Sequence, residues 1–186
     1  MVKNIEYNST NFLTEEKLVD YLRIIFPNQD WISNKKIPGT PINSRPDYYN
    51  EKMKIIIEFD GDSKLNINGH YSSAKVILND YKKDVIYRKI GWKVIRIPYF
   101  VQMSANSIYD LFGINEIKLE QIYPHGFWDE KARLPADFNE LGICRFEDDL
   151  KRLPSIKQDI IDSLKNKIVE LKNIDLVLPN KLKYLV

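Results

Sequence analysis

A β-branched run that ends in acids constrains this chain most: Ile55-Ile56-Ile57-Glu58-Phe59-Asp60-Gly61. Three consecutive isoleucines favour a half-buried strand, and Gly61 stops it. Just upstream, Arg45-Pro46-Asp47-Tyr48-Tyr49 leads into a polar break at Asn50-Glu51-Lys52, so the stretch from Asp47 to Asp60 predicts a hairpin. The start of its first strand lies beside the end of its second, which brings Asp47 toward Glu58 and Asp60. Glu58 and Asp60 are two residues apart and share a face, because side chains alternate along a strand. The three acids are expected to converge where the patterning buries them. Carboxylates crowded in a poorly solvated place repel one another unless some hold protons or a cation sits among them. A divalent metal held by Asp47, Glu58 and Asp60 resolves that repulsion.

Around this hairpin the pattern alternates between helix and strand. Residues 14–26 predict an amphipathic helix, with Thr14 as N-cap, Glu15 and Glu16 at the positive end and Leu18, Leu22 and Ile25 as the apolar stripe. Glu15 lies on that stripe and is preferred over Glu16 as a fourth carboxylate turned toward the site. After an insert at 62–71, residues 72–90 predict a second helix buried through Ala74, Leu78, Tyr81 and Val85; Gly91 ends it, and residues 92–98 predict a core strand. The expected architecture is α/β, a mixed β-sheet core flanked by helices. It comprises a core unit at 1–112 and a helical appendage at 113–186. In the appendage a short strand at 117–122 and helices at 136–141, 147–153 and 155–172 are expected, following a short helix at 106–112.

Composition narrows the chemistry. One cysteine excludes a disulfide framework and any cysteine-rich zinc site, and two histidines make a histidine-rich metal site improbable. No apolar run approaches the ~18 residues of a membrane span, and the N-terminus has no signal pattern, so a soluble cytoplasmic protein without membrane attachment is expected. A formal charge of +2 gives no overall polycationic character, so binding to nucleic acid requires lysines gathered on one face or a partner's help.

Taken in order, Arg45-Pro46-Asp47, Glu58-Phe59-Asp60-Gly61, Asp80-Tyr81-Lys82-Lys83 and Gly91-Trp92-Lys93-Val94-Ile95-Arg96 resemble the PD-(D/E)xK nuclease superfamily. In particular they resemble the branch that writes the second motif Glu-x-Asp-Gly and follows it with a histidine. The resemblance covers residues 14–100. The C-terminal part, with Tyr123 to Trp128 and Leu134-Pro135-Ala136-Asp137-Phe138, is similar to the small catalytic subunits of heterodimeric type IIS restriction endonucleases. The resemblance implies a restriction-endonuclease-like fold and a Mg²⁺-dependent endodeoxyribonuclease, with Mn²⁺ as a substitute. The enzyme would cleave one strand of double-stranded DNA beside a larger, DNA-recognising nickase subunit. Asp47 would be the metal-bridging acid and Glu58 the second, with Asp60 standing where most of the superfamily has lysine. An aspartate there can ligate metal or accept a proton but cannot stabilise a hydroxide. His70 becomes a proton carrier or ligand, lying farther from Asp60 than in the related branch. The alternatives are a stand-alone mismatch-nicking repair endonuclease and a non-catalytic DNA-binding or assembly subunit with vestigial carboxylates.

Other residues carry plainer expectations. Asp80, Lys83, Asp84 and Arg88 lie at helical ion-pair spacings and predict a solvated surface network. Gln102 either touches the site or caps a loop. The cluster from Tyr123 to Trp128 either packs the appendage onto the core or docks another chain.

Overall fold

The strand rich in isoleucine, β3 (Ile55–Asp60), lies inside a four-stranded sheet with β1 (Ile32–Ser33), β2 (Tyr48–Asn50) and β4 (Lys93–Pro98) in the order β1-β2-β3-β4. This computed structural model describes residues 12–186; positions 1–11 of the expected core unit lie outside the described residues. β1–β2 and β2–β3 pair antiparallel, and β3–β4 pair parallel. The expected hairpin is present, with Tyr48 opposite Ile57. Its turn closes through Asn50 Oδ1, which accepts the Met53 N–H at 2.8 Å. Parallel strands need a crossover, and α2 (Ala74–Lys89) supplies it between β3 and β4. The fold is thus mixed α/β.

The two faces of the sheet differ. Tyr48, Ile57, Ile95 and Ile97 join the large core, together with Leu18, Leu22 and Ile25 of α1 (Glu15–Ile25). Thr14 caps α1 by accepting the Lys17 N–H at 3.4 Å, as its sequence predicts. On the opposite face Tyr49, Ile56 and Trp92 pack with Ile37 and Tyr87 in a smaller apolar cluster. Beyond that cluster, toward the ends of β3 and β4, this face turns polar.

α2 is rotated relative to the expectation. The stripe assigned to the core, Leu78, Tyr81 and Val85, faces outward, and the buried row is Ile77, Asp80, Asp84 and Tyr87. Asp84 does pair with Arg88 at 3.4 Å, as that spacing predicts, but Asp80 and Asp84 are buried rather than members of a solvated network. They are buried because arginines reach them from β4 and from the C-terminal helices, partners that helical spacing within α2 cannot reveal.

The C-terminal part packs on the sheet as irregular chain and helices. α3 (Ala105–Phe112) starts with a capping box between Ser104 and Ser107. The strand expected at 117–122 does not form; residues 113–134 run without helix or strand apart from a single bridge, Ser63 to Ala132, and Ile117 and Leu119 rest on the core as loop residues. The helix expected at 136–141 is only a 3-10 turn, Pro135–Asp137. α4 (Glu140–Arg152) begins seven residues ahead of the predicted 147, because Asn139 Oδ1 caps it by accepting the Gly142 N–H at 3.0 Å. α5 (Lys157–Leu171) falls inside its predicted range. Phe127, Phe146, Leu150, Ile160 and Leu164 share one apolar cluster with Leu18, Ile57 and Ile97, so residues on both sides of position 112 build the same core. No helix among the described residues is long and apolar enough to cross a membrane.

Candidate functional site

Asp47 precedes β2, and the register that sets Tyr48 against Ile57 sets Asp47 across from Glu58. The Asp47 carboxylate is tied into the hairpin by accepting the Phe59 N–H at 2.6 Å. Glu58 and Asp60 point to the α2 side of the sheet, with Arg96 directly beside Glu58 on β4. α1 brings its first turn alongside, because the Tyr48 hydroxyl donates to the Glu15 backbone carbonyl at 3.0 Å. Glu15 is half-buried there, takes a hydrogen bond from Asn34 Nδ2 at 3.3 Å, and adds its negative charge to the field at Asp47. The expectation that Glu15 turns inward matches this position; Glu16 is exposed.

Asp47 and Glu58 both hold protons more tightly than ordinary carboxyls. Burial pushes Asp47 up to about 6; the Phe59 N–H opposes this, while the charges of Glu15 and Asp60 reinforce it. Burial, then the facing Asp47, pushes Glu58 up to about 8, against the pull of Arg96 and Lys83. Among the described residues neither Asp47 nor Glu58 forms an ion pair.

Asp60 has a different environment. Its carboxylate is buried and accepts from Arg96 Nη1 and from Arg145 Nη2, each at 2.7 Å. Arg145 comes from α4 and also donates to Asp80 Oδ2 at 2.9 Å and to the His70 carbonyl at 3.0 Å. Arg96 reaches Asp84 Oδ1 at 2.8 Å. His70 Nδ1 sits 2.8 Å from Asp80 Oδ2 and 3.3 Å from Asp60 Oδ1. Burial opposes the charge on Asp80, yet the bonds from His70 and Arg145 and the nearby Arg96 hold it well below the usual carboxylate range. The same two aspartates raise His70 against the effect of its own burial. Three aspartates therefore face two arginines, with His70 Nδ1 against two of the three.

The loop at 62–71 delivers His70 despite its length. His70 N–H donates to the Gly61 carbonyl at 3.1 Å, closing the loop at its base. Asp62 accepts the Tyr71 and Ser72 N–H groups at 2.9 and 2.7 Å. Gly69 is required in this turn, since a Cβ there would lie 1.9 Å from Asp62 Oδ1. Only the middle of the loop is exposed; the anchoring residues Asp62 and Tyr71 are buried.

The acids expected to share a metal thus divide. The group of ligand atoms that all lie within 4.8 Å of one another, among the described residues, is Asp60, His70 and Asp80 rather than Asp47, Glu58 and Asp60. That group already has guanidinium partners, so a dication there would compete with Arg96 and Arg145. Asp47 and Glu58 fit a hard dication better: two carboxylates, oxygen donors only, each left short of positive charge.

Sequence reasoning gave Arg96 no role and did not foresee Arg145. Asp80 and Asp84 could have been read as inward from the 3-4-3 spacing of Ile77, Asp80, Asp84 and Tyr87. Nothing in the linear sequence joins Arg145 to Asp60, 85 residues away. Gln102 does not reach the site; it is buried and accepts the Leu13 N–H at 2.9 Å. The cluster from Tyr123 to Trp128 packs inward, with Phe127 stacked on Phe100 at 5.1 Å. His125 within it is buried, which pushes its pKa down to about 4. Its Nδ1 accepts the Gln102 N–H, so its proton lies on Nε2, facing Ser104 Oγ at 3.0 Å, and the ring cannot act as a base toward that serine. Comparison with protein-family models, curated proteins and solved structures finds no match to this chain.

Proposed function

We propose that this chain is a Mg²⁺-dependent endodeoxyribonuclease with a restriction-endonuclease-like core. It would cut one strand of double-stranded DNA and rely on a larger subunit to recognise the site. The observation that carries the reading is the Asp47–Glu58 pair: two facing carboxylates at the end of the hairpin, both raised in pKa and neither ion-paired among the described residues. Asp47 and Glu58 would hold the ion, with Glu15 beside them. Bound there, the ion would supply Lewis-acid stabilisation of charge on the phosphate and its leaving oxygen. His70 suits proton transfer. Asp80 engages its Nδ1 and leaves Nε2 on a side chain 28% exposed, where the neutral ring would accept a proton from the attacking water. Water adds to phosphorus and the bond to the 3′ oxygen breaks. That oxygen then takes a proton, leaving 5′-phosphate and 3′-hydroxyl ends.

Calorimetric titration of Mn²⁺ at pH 7.5 into the wild type, Asp47→Asn, Glu58→Gln and Asp60→Asn tests the assignment. Saturable binding in the wild type, lost in Asp47→Asn and Glu58→Gln, is expected. Binding that survives both substitutions and disappears in Asp60→Asn would move the ion to the Asp60, His70 and Asp80 group and overturn it. A second reading, a non-catalytic assembly subunit, is favoured by one observation. Asp60 stands where most of the superfamily that the chain resembles has lysine, and it is held by two arginines. Under that reading Asp47→Asn leaves every activity of the complex intact.

A further inference from the structure

The outer face of α2 carries an apolar row that the described residues leave about half exposed. Ala74, Leu78, Tyr81 and Val85 follow at spacings of four, three and four residues, and all four are exposed. The three large side chains are 47%, 43% and 48% exposed. Such spacing is that of a coiled-coil seam, in which each side chain enters a hole between residues of a facing helix. A helix with one apolar row ordinarily turns it to the core. Here the inner face is committed to Asp80 and Asp84 and their arginines, so the seam is left outside. Continued to Arg88, it runs about 20 Å along the helix, the length of a partner helix of roughly four turns.

Charge along the row selects the partner. Lys75, Lys82 and Lys89 recur every seven residues along one edge, each one position after a seam residue, and all are exposed. At the other flanking positions stand Ile77 and Asp84, both buried. A second copy packed antiparallel would set lysine row against lysine row. Packed parallel, its lysines would meet Ile77 and Asp84, which are turned inward. Nucleic acid would engage the lysines but would leave Leu78 and Val85 uncovered. We propose that the outer face of α2 docks an amphipathic helix of another protein, apolar along its seam and bearing Asp or Glu on the edge that meets Lys75, Lys82 and Lys89. The proposal does not depend on the chemistry of the Asp47–Glu58 pair.

Two synthetic helical peptides test it, both with leucine at the seam positions, one flanked by glutamate and the other by lysine. Each is titrated into the full chain. Three exposed charge pairs predict that the glutamate peptide binds about tenfold more tightly than the lysine peptide at low salt. Leu78→Ser with Val85→Ser should abolish binding with only a small loss of melting temperature and the fold intact, since both positions are about half exposed. Lys82→Glu with Lys89→Glu should reverse the preference, a result that misfolding cannot imitate. Equal binding of the two peptides, or binding indifferent to Leu78→Ser with Val85→Ser, would overturn the proposal. So would a dimer of the chain that this double substitution dissolves, or displacement of the glutamate peptide by a short DNA duplex.

Discussion

Asp47 and Glu58 are held side by side by backbone geometry, with the Phe59 N–H fixing one of them, and a proton or a cation must offset their repulsion. Proton and metal ion therefore compete for the same oxygens. Glu58 titrates near 8 in the folded chain, above an unfolded glutamate at about 4.3. Between those values the folded state keeps a proton that the unfolded state has lost. The stability it lends is complete at acid pH and is lost as pH rises through 8, at no more than about 1.4 kcal/mol per pH unit. Glu58→Gln removes the titrating group and keeps its shape. Denaturant unfolding between pH 5 and 8 should show a flatter stability profile for Glu58→Gln, with the variant more stable than the wild type at pH 8. A variant less stable at pH 8 would mean that Glu58 is ionised and already compensated. This pair was legible in the sequence because strand alternation and hairpin register are local rules. Asp60 obeyed the same alternation, but its partners come from β4 and α4, and no local rule names them.

At the scale of elements, α2 and α4 are joined through ions as well as apolar contacts. Arg145 inserts from α4 between Asp60 and Asp80, lies 5.5 Å from the Tyr71 ring, and so ties the crossover helix, β3 and the appendage to one side chain. Removing one member of a buried ionic network leaves the others uncompensated, which costs about 3–5 kcal/mol. Arg145→Met should therefore lower the unfolding free energy by about that amount, and adding Asp60→Asn should restore part of it by removing the orphaned charge. Equilibrium urea unfolding of the two single variants and the double variant measures this. Strict additivity would show that Arg145 and Asp60 do not act together. The same ions explain why helix type was legible in α2 and helix rotation was not. Periodicity found the stripe of Leu78, Tyr81 and Val85, and only the arginines of other elements decide that the acidic face turns inward.

At the scale of the whole molecule, the appendage and the sheet are one packing unit. Gly142 of α4 approaches the backbone of the hairpin-side loop so closely that a Cβ there would lie 1.8 Å from the Tyr71 carbonyl oxygen. Next to it the Asn139 N–H donates to that same carbonyl. Tyr71 is fully buried, its ring stacked on Phe138 at 4.9 Å and its hydroxyl donating to Asp149 at 2.6 Å, so a core residue of the first half is enclosed by the second. A chain ended after residue 112 would uncover Tyr71, Phe100, Ile97 and Ile108, and would strip Asp60 and Asp80 of Arg145. Uncovering several large apolar side chains costs about 1.5–3 kcal/mol each, which together with the ionic loss is as large as the margin of about 5–15 kcal/mol by which a domain is stable. The truncated chain should therefore show no cooperative thermal transition and should bind an apolar dye, while the full chain melts in one step. A sharp transition in the fragment would instead make residues 12–112 a self-sufficient core, and the C-terminal helices an accessory that the ion cluster does not need.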